Sequence, residues 1–244
     1  MPILYYHQVA ENISPRLGVT PDVFRAQIDY LSRNKYRSIG FEDLVDNLEG
    51  GHTLPHRPII ITFDDGYLNT FTRAYPILKK AGFTATTFLV SGFIGGESFW
   101  EGGQEQRAPL MTRENILAMA ADGFPFGGHT RTHKDLVSLR PEEAKGEIES
   151  GKKDLENLLQ KPIYSFAYPY GNFNDQIIGL VKACGFKAAR TVHTDNTHKL
   201  EDLHQLRCVK INGQTPAWKF KYYLTRFYHL DIRWQEWKKA NRRT

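Results

Sequence analysis

Cysteine is almost missing from this chain: Cys184 and Cys208 are the only two among 244 residues. They form neither a C-x-x-C pair nor a dense framework, which excludes a dithiol redox centre, a cysteine-rich zinc module and a disulfide-stapled miniature fold. Their neighbours read as those of small core residues. Long apolar runs are missing as well, and nothing approaches the ~20 residues that a membrane-spanning helix needs. The first residues, Met1-Pro2-Ile3-Leu4-Tyr5-Tyr6-His7, have neither the positive n-region nor the apolar h-region of a secretory signal. The expectation is a cytoplasmic protein, or one peripheral at a membrane surface, unless the chain has been trimmed. No internal repeat or low-complexity linker divides it, so one domain is expected.

Charge of one sign is scarce everywhere but at the end. The formal net charge is +5, yet residues 219–244 alone hold eight Lys/Arg against two acids. The other 218 residues are close to neutral, at −1. A basic nucleic-acid-binding body is therefore excluded. In the tail, Phe220, Tyr223, Leu224, Phe227, Leu230, Trp234 and Trp237 recur at three- and four-residue steps between the cations. This is the pattern of a basic amphipathic helix, suited to an anionic membrane surface or a polymer, or to packing on the body with only its charges exposed.

What is present is a regular alternation of strand-like and helix-like segments. Strands are expected at 3–9, 37–40, 58–63, 84–90, 163–168, 187–192 and 206–211, with a further strand-like run, 124–128, ahead of a His pair. Helices are expected at 21–34 behind the N-cap Thr20, 41–49, 68–81 ending at Gly82, 113–121 behind Thr112, 141–159 and 175–184. Such alternation implies a parallel α/β fold, and the number of units favours a barrel over an open sheet. Two irregular stretches interrupt it, 92–110 with Phe99-Trp100, and the polar 193–205.

In a parallel α/β fold the carboxyl ends of the strands converge on one face, where sites form. Asp64-Asp65-Gly66 closes the apolar run Pro58-Ile59-Ile60-Ile61-Thr62-Phe63. His129 and His133 follow Gly127-Gly128, placed either on one side of a helical turn or in a strand-end loop. His7 and the turn Tyr168-Pro169-Tyr170-Gly171 fall at further strand ends. Two imidazoles and one carboxylate form a three-ligand metal set with a position left for water. The second carboxylate is then available to accept a proton from attacking water. Strand alternation leaves open which of Asp64 and Asp65 takes which task. His52 and His56 lie in a proline-containing loop, and His193, Asp195 and His198 in a polar one.

Thr62-Phe63-Asp64-Asp65-Gly66-Tyr67, His129-Thr130-Arg131-Thr132-His133 and Phe166-Ala167-Tyr168-Pro169-Tyr170-Gly171 occur in this order. With them the chain resembles the polysaccharide deacetylases of carbohydrate esterase family 4, which share the NodB homology domain. The resemblance spans roughly residues 3–212. It implies a single-domain distorted (β/α) barrel, with a catalytic domain over 1–218 and the basic aromatic helix 219–244 part of it or appended. It implies Asp64 as general base, and Asp65, His129 and His133 as ligands of one divalent metal ion, usually zinc, with cobalt, nickel or manganese as alternatives. The Tyr170 N–H would help hold an oxyanion. The implied reaction removes N-acetyl groups from N-acetylglucosamine-type sugars of a polysaccharide or glycolipid, releasing acetate, and the implied partner is carbohydrate rather than nucleic acid.

The chain departs from the family pattern twice. Ala167 stands where many members carry a base-orienting Arg, and no C-terminal Leu-x-His supplies an acid. Leu4-Tyr5-Tyr6-His7-Gln8-Val9 looks instead like the Tyr-His-x-Val start of the permuted branch that includes poly-N-acetylglucosamine deacetylases, which implies His7 as the acid. Arg190 and Arg207 are candidates for orienting the base or, with Tyr168, Pro169 and Trp100, for contacting substrate. A metal-dependent amidohydrolase of a small non-sugar amide and a non-catalytic carbohydrate binder are the competing readings. Retention of Asp64 beside a full ligand set argues against the binder, which needs no base.

Overall fold

A computed structural model describes residues 1–100, 107–192, 202–225 and 227–228. Ten strands are assigned there: β1 (Ile3–Tyr6), β2 (Gln8–Val9), β3 (Gly18–Val19), β4 (Arg37–Ser38), β5 (Pro58–Phe63), β6 (Thr86–Leu89), β7 (Phe126–Gly128), β8 (Ser165–Ala167), β9 (Ala188–Arg190) and β10 (Val209–Lys210). The α-helices are α1 (Pro21–Arg33), α2 (Phe41–Leu48), α3 (Tyr75–Ala81), α4 (Arg113–Ala121), α5 (Pro141–Leu159), α6 (Asp175–Ala183) and α7 (Ala217–Tyr223). Eight strands form one parallel sheet in the order β10-β1-β5-β6-β7-β8-β9, with β4 beside β5. Leu206 pairs with Arg190 at the end of β9, and β10 a few residues later pairs with β1. One segment thus links the first and last strands of the order, curling the sheet into the expected distorted barrel.

Pleating sorts the side chains into two clusters. Leu4 and Tyr6, Ile59, Ile61 and Phe63, Leu89, Phe166 and Ala189 face the helices and pack with Phe24, Ile28, Leu78, Ile148 and Val181. Ile3 and Tyr5, Ile60, Phe88, Ala167, Ala188 and Cys208 face the interior with Phe41 and Leu44. Both faces are apolar, as expected of parallel strands covered on each side. Followed toward the carboxyl ends, the interior positions run Tyr5 to His7, Ile60 to Thr62 to Asp64, Gly127 to His129, and Ala188 to Arg190. The pleat alone aims four polar side chains at the barrel mouth.

Two elements differ from expectation. The strand 3–9 is broken at His7, because β1 pairs with β5 whereas Gln8 and Val9 pair with Gly18 and Val19. The helix 68–81 begins with a wide turn at Thr70–Ala74, in which the Tyr75 N–H donates to the Thr70 carbonyl, and becomes α-helical only from Tyr75. Pro76 is the cause: it has no N–H for the carbonyl four residues back, so the preceding turn widens. Thr20, Thr112 and Gly82 cap their helices as expected.

The part of the C-terminal segment that is described packs on α1. Phe220 is buried edge-on against Tyr30, and the Tyr36 hydroxyl donates to the Leu224 carbonyl at 3.1 Å. Residues 229–244, on which the rest of the amphipathic pattern falls, lie outside the described residues. No helix among the described residues is long and apolar enough to cross a membrane.

Candidate active site

Asp65, His129 and His133 meet at the mouth, all three buried. Asp65 Oδ1 is 3.5 Å from His129 Nε2 and 3.3 Å from His133 Nε2. The two Nε2 atoms are 3.2 Å apart. Three donor atoms so close, with Asp65 Oδ1 making no hydrogen bond, are a set that one divalent cation would satisfy together. His129 Nδ1 lies 2.7 Å from the Ala167 carbonyl. Donating there leaves Nε2 as the free lone pair, as a metal-ligating imidazole requires. Burial alone would raise the Asp65 pKa, but the imidazoles of His129 and His133 overcome it and hold this carboxyl well below the usual range. His133 is pushed down by burial, with Asp65 opposing.

The histidines are carried by a strand-end loop and not by a helical turn. Thr130 and His133 have φ of +63° and +58°, and Asp65 and Tyr170 +70° and +57°. Left-handed conformations at non-glycine residues concentrate where the surrounding structure enforces them. Here α5 does so through Glu147, whose carboxylate accepts from the N–H groups of Arg131 (3.1 Å) and Thr132 (2.8 Å) and from the Thr132 hydroxyl (2.6 Å). Thr130 Oγ1 accepts from the His133 N–H. The loop backbone lies so close to its supports that a Cβ on Gly151 would stand 2.8 Å from the Thr130 carbonyl carbon, and one on Gly92 2.7 Å from the Arg131 oxygen.

Asp64 continues the inward pleat of β5 and forms an ion pair with Arg190 from β9. Arg190 is fully buried. Its guanidinium lies 4.8 Å from the Tyr5 ring centroid and 5.1 Å from that of Phe88, with Nη1 3.6 Å from Cys208 Sγ. Two aromatic faces hold it in place. A buried guanidinium costs several kcal/mol unless paired, so each partner requires the other.

His7 stands at the break between β1 and β2, largely buried, its ring 5.5 Å from that of Tyr5. Burial pushes its pKa down to about 4, against an opposing pull from Asp65. An aromatic wall closes the other side. The Trp100 ring stacks on His133 at 4.5 Å and 23°, and Tyr170 meets His133 edge-on at 4.8 Å. Phe93 and Phe99 back the Trp100 ring.

A model of the polysaccharide deacetylase family matches residues 51–189, more than half of the chain. The chain belongs to that family. These deacetylases are hydrolases of carbohydrate esterase family 4 with the NodB domain. One relative, YxkH of Bacillus subtilis (strain 168), is 26% identical over 212 residues, 87% of this chain and 71% of that protein. The poly-beta-1,6-N-acetyl-D-glucosamine N-deacetylase of Staphylococcus aureus (strain MRSA252) is 25% identical over 193 residues. That match covers 75% of this chain but only 64% of the staphylococcal protein. Among solved structures, the PplD deacetylase of Streptococcus pyogenes with acetate shares the fold at a TM-score of 0.81 and 24% identity, over 92% of this chain and 98% of that one.

Relative to the common deacetylase pattern, Ala167 faces the interior where the motif Arg is missing, and Arg190 from the neighbouring strand reaches Asp64 instead. Arg190 is 1% exposed there. Tyr168 is 1% exposed, its hydroxyl donating to the His204 carbonyl at 2.9 Å. Pro169 is buried in the turn before Tyr170. Arg207 is half-buried. His204 is held by the Phe186 carbonyl and lies beside Asp202. His193, Asp195 and His198 lie outside the described residues. The residue that sequence reasoning passed over is Glu147, which carries no motif and whose only signal is its position on α5 facing the His loop.

Proposed function

We propose that the chain is a metal-dependent N-deacetylase of N-acetylglucosamine-type sugars in a polysaccharide or glycolipid, using one divalent ion, most readily zinc. The observation that carries this reading is the arrangement of the adjacent aspartates: Asp65 shares a donor cluster with His129 and His133, while Asp64 is paired with Arg190. A binding protein needs the first at most, and hydrolysis needs both.

Asp65, His129 and His133 would hold the ion, which when bound supplies charge to polarise the acetyl carbonyl and acidify water. Asp64, oriented by Arg190, accepts the proton of the attacking water. The Tyr170 N–H would donate to the oxyanion of the tetrahedral intermediate. His7 protonates the amine as the C–N bond breaks. Burial keeps His7 neutral at pH 7 in the metal-free protein, so the proton that it gives to the amine would be the one taken from the attacking water, passed on from Asp64. Trp100 and Tyr170 offer aromatic faces to the sugar ring.

Acetate release tests the reading, with chitin oligomers, poly-N-acetylglucosamine fragments and N-acetylated glycolipids incubated with the protein before and after chelation and after zinc is restored. Release that stops on chelation and returns with zinc is expected. Release that persists in a metal-depleted protein, or none from any N-acetyl sugar by the zinc-loaded one, overturns it.

A further inference from the structure

Beside the mouth runs a groove of about 710 Å³, and its walls continue the segments that carry the catalytic candidates. Gln8 follows His7 directly, and Asn69 lies four residues after Asp65. These two are tied together: Asn69 Nδ2 donates to Gln8 Oε1 at 2.9 Å, and the Val9 N–H donates to Asn69 Oδ1 at 3.3 Å. The opposite wall, Arg107 to Pro109, is fixed to the same turn by the Leu68 N–H, which donates to the Pro109 carbonyl at 2.8 Å. Arg16 sits on a turn closed by Leu17 N–H to Ser14 carbonyl at 2.9 Å, and its carbonyl accepts from Asn212.

Among the described residues, two arginines and no carboxylate line this groove. Four other arginines are engaged by acids, Arg25 by Asp22, Arg131 by Asp154, Arg140 by Glu143 and Arg190 by Asp64, and Arg37 and Arg57 bond to Tyr36. Arg16 and Arg107 have no side-chain partner among the described residues. With amide side chains of Asn12, Gln8 and Asn69 between them, they make a surface complementary to an anion. A neutral N-acetylglucosamine polymer gives them nothing to neutralise, and a deacetylated one is itself cationic and would be repelled.

We propose that the groove binds an anionic substituent, a phosphate or a carboxylate, on a sugar neighbouring the one that is deacetylated, so that the preferred substrate is an anionic glycan. The proposal rests on the deacetylase reading of the mouth. Binding in the groove lowers KM for charged substrates, with the chemistry still performed at Asp64 and the donor cluster.

The test uses the zinc-loaded full chain and three N-acetylglucosamine tetramers: neutral, phosphorylated at O6 of a sugar next to the reacting one, and with a lactyl carboxylate there. The two charged arms distinguish phosphate from carboxylate as the recognised group. At low salt, at least one charged tetramer should give about three- to tenfold higher kcat/KM per arginine engaged, through KM, and the advantage should shrink as salt rises. Replacing both arginines, Arg16→Gln with Arg107→Gln, should bring the charged-to-neutral ratio close to one, while Arg→Lys at both positions keeps part of it. Equal kcat/KM for all three tetramers, or a ratio that survives the Gln pair, overturns the proposal. Calorimetric binding of the phosphorylated and lactyl-bearing tetramers to both proteins separates the two readings. If no tetramer releases acetate yet a charged one binds the wild type more tightly than the Gln variant, the deacetylase reading fails and the groove stands. If neither charged tetramer binds the wild type more tightly, the groove fails.

Discussion

Asp64 and Asp65 are neighbours in sequence but belong to regions built on different principles. Asp65 stands in a left-handed backbone conformation and joins two imidazoles held by a loop, which in turn is held by a helix. Asp64 continues the pleat of β5 inward and meets an arginine buried between two aromatic rings. The first region is assembled from short-range geometry, two histidines four residues apart and one aspartate. The second is assembled by topology, since residues 64 and 190 meet only because the sheet curls. A motif can announce the first region. The second appears only once strand parity and strand order are known.

The sharpest way to break this comparison is to remove the first region alone. Replacing His129 and His133 together by Ala should abolish both bound metal, read by elemental analysis, and acetate release, while Asp64 keeps its partner and the fold persists. Stoichiometric metal in that variant would show that the donor cluster has been misread. Removing the second region separates the two aspartates. Asp64→Asn should retain metal and lose about 10²–10⁴-fold in kcat, whereas Asp65→Asn should lose metal first. The reverse pattern would exchange their roles.

Arg190 gives the next step down. Arg190→Met strands a buried carboxylate, and breaking a buried pair typically costs about 3–5 kcal/mol. Denaturant unfolding should show a loss of that order. Combining it with Asp64→Asn should recover part of the loss, because the orphaned charge has gone. Additive losses in the double variant would mean that the pair is not coupled as its geometry implies. Smaller again is Glu147→Ala, which releases the Thr130–Thr132 backbone without touching a donor atom. Metal affinity should fall about tenfold, as for other groups that orient ligands from behind, and competition with a chromogenic chelator measures it. An unchanged affinity would leave the backbone itself as the sole support of the loop.

The same comparison explains what was legible in the sequence. The alternation of segments, the caps at Thr20 and Thr112 and the stop at Gly82 were readable because each depends on residues within one or two turns. The donor cluster was readable because its spacing is local and its strand ends were recognisable. Which aspartate faces the interior was not, because Ile59, Ile60 and Ile61 are apolar on both sides and a strand buried on both faces hides its parity. In the sequence Arg190 is one arginine among several, and only the curl of the sheet brings it to Asp64. The break at His7 was hidden for a similar reason, since Tyr6 and Gln8 pair with partners 57 and 10 residues away.

His7 supplies the smallest and most specific test, because it lies outside the donor cluster and the fold changes its charge state in the acid range. Its folded pKa is pushed down to about 4 by burial, against an ordinary value near 6.5 in the unfolded chain. Between those values the unfolded state binds a proton that the folded state refuses, so acid favours unfolding. Stability therefore falls as pH drops below about 6.5 and continues to fall toward 4. For the chelated protein the contribution lost between pH 7 and 5.5 should be on the order of 1 kcal/mol, reduced by whatever solvent reaches the ring. His7→Gln has no imidazole to protonate and should lose less over the same interval, by about that amount, in paired denaturant titrations at the two pH values. The zinc-loaded variant should keep its metal yet release acetate slowly from N-acetyl sugars. An ester substrate should suffer less, because an alcohol leaves with less need of a proton. If the two proteins lose equal stability on acidification, His7 is not the buried neutral imidazole described, and if His7→Gln turns over an N-acetyl sugar at the wild-type rate, the acid lies elsewhere.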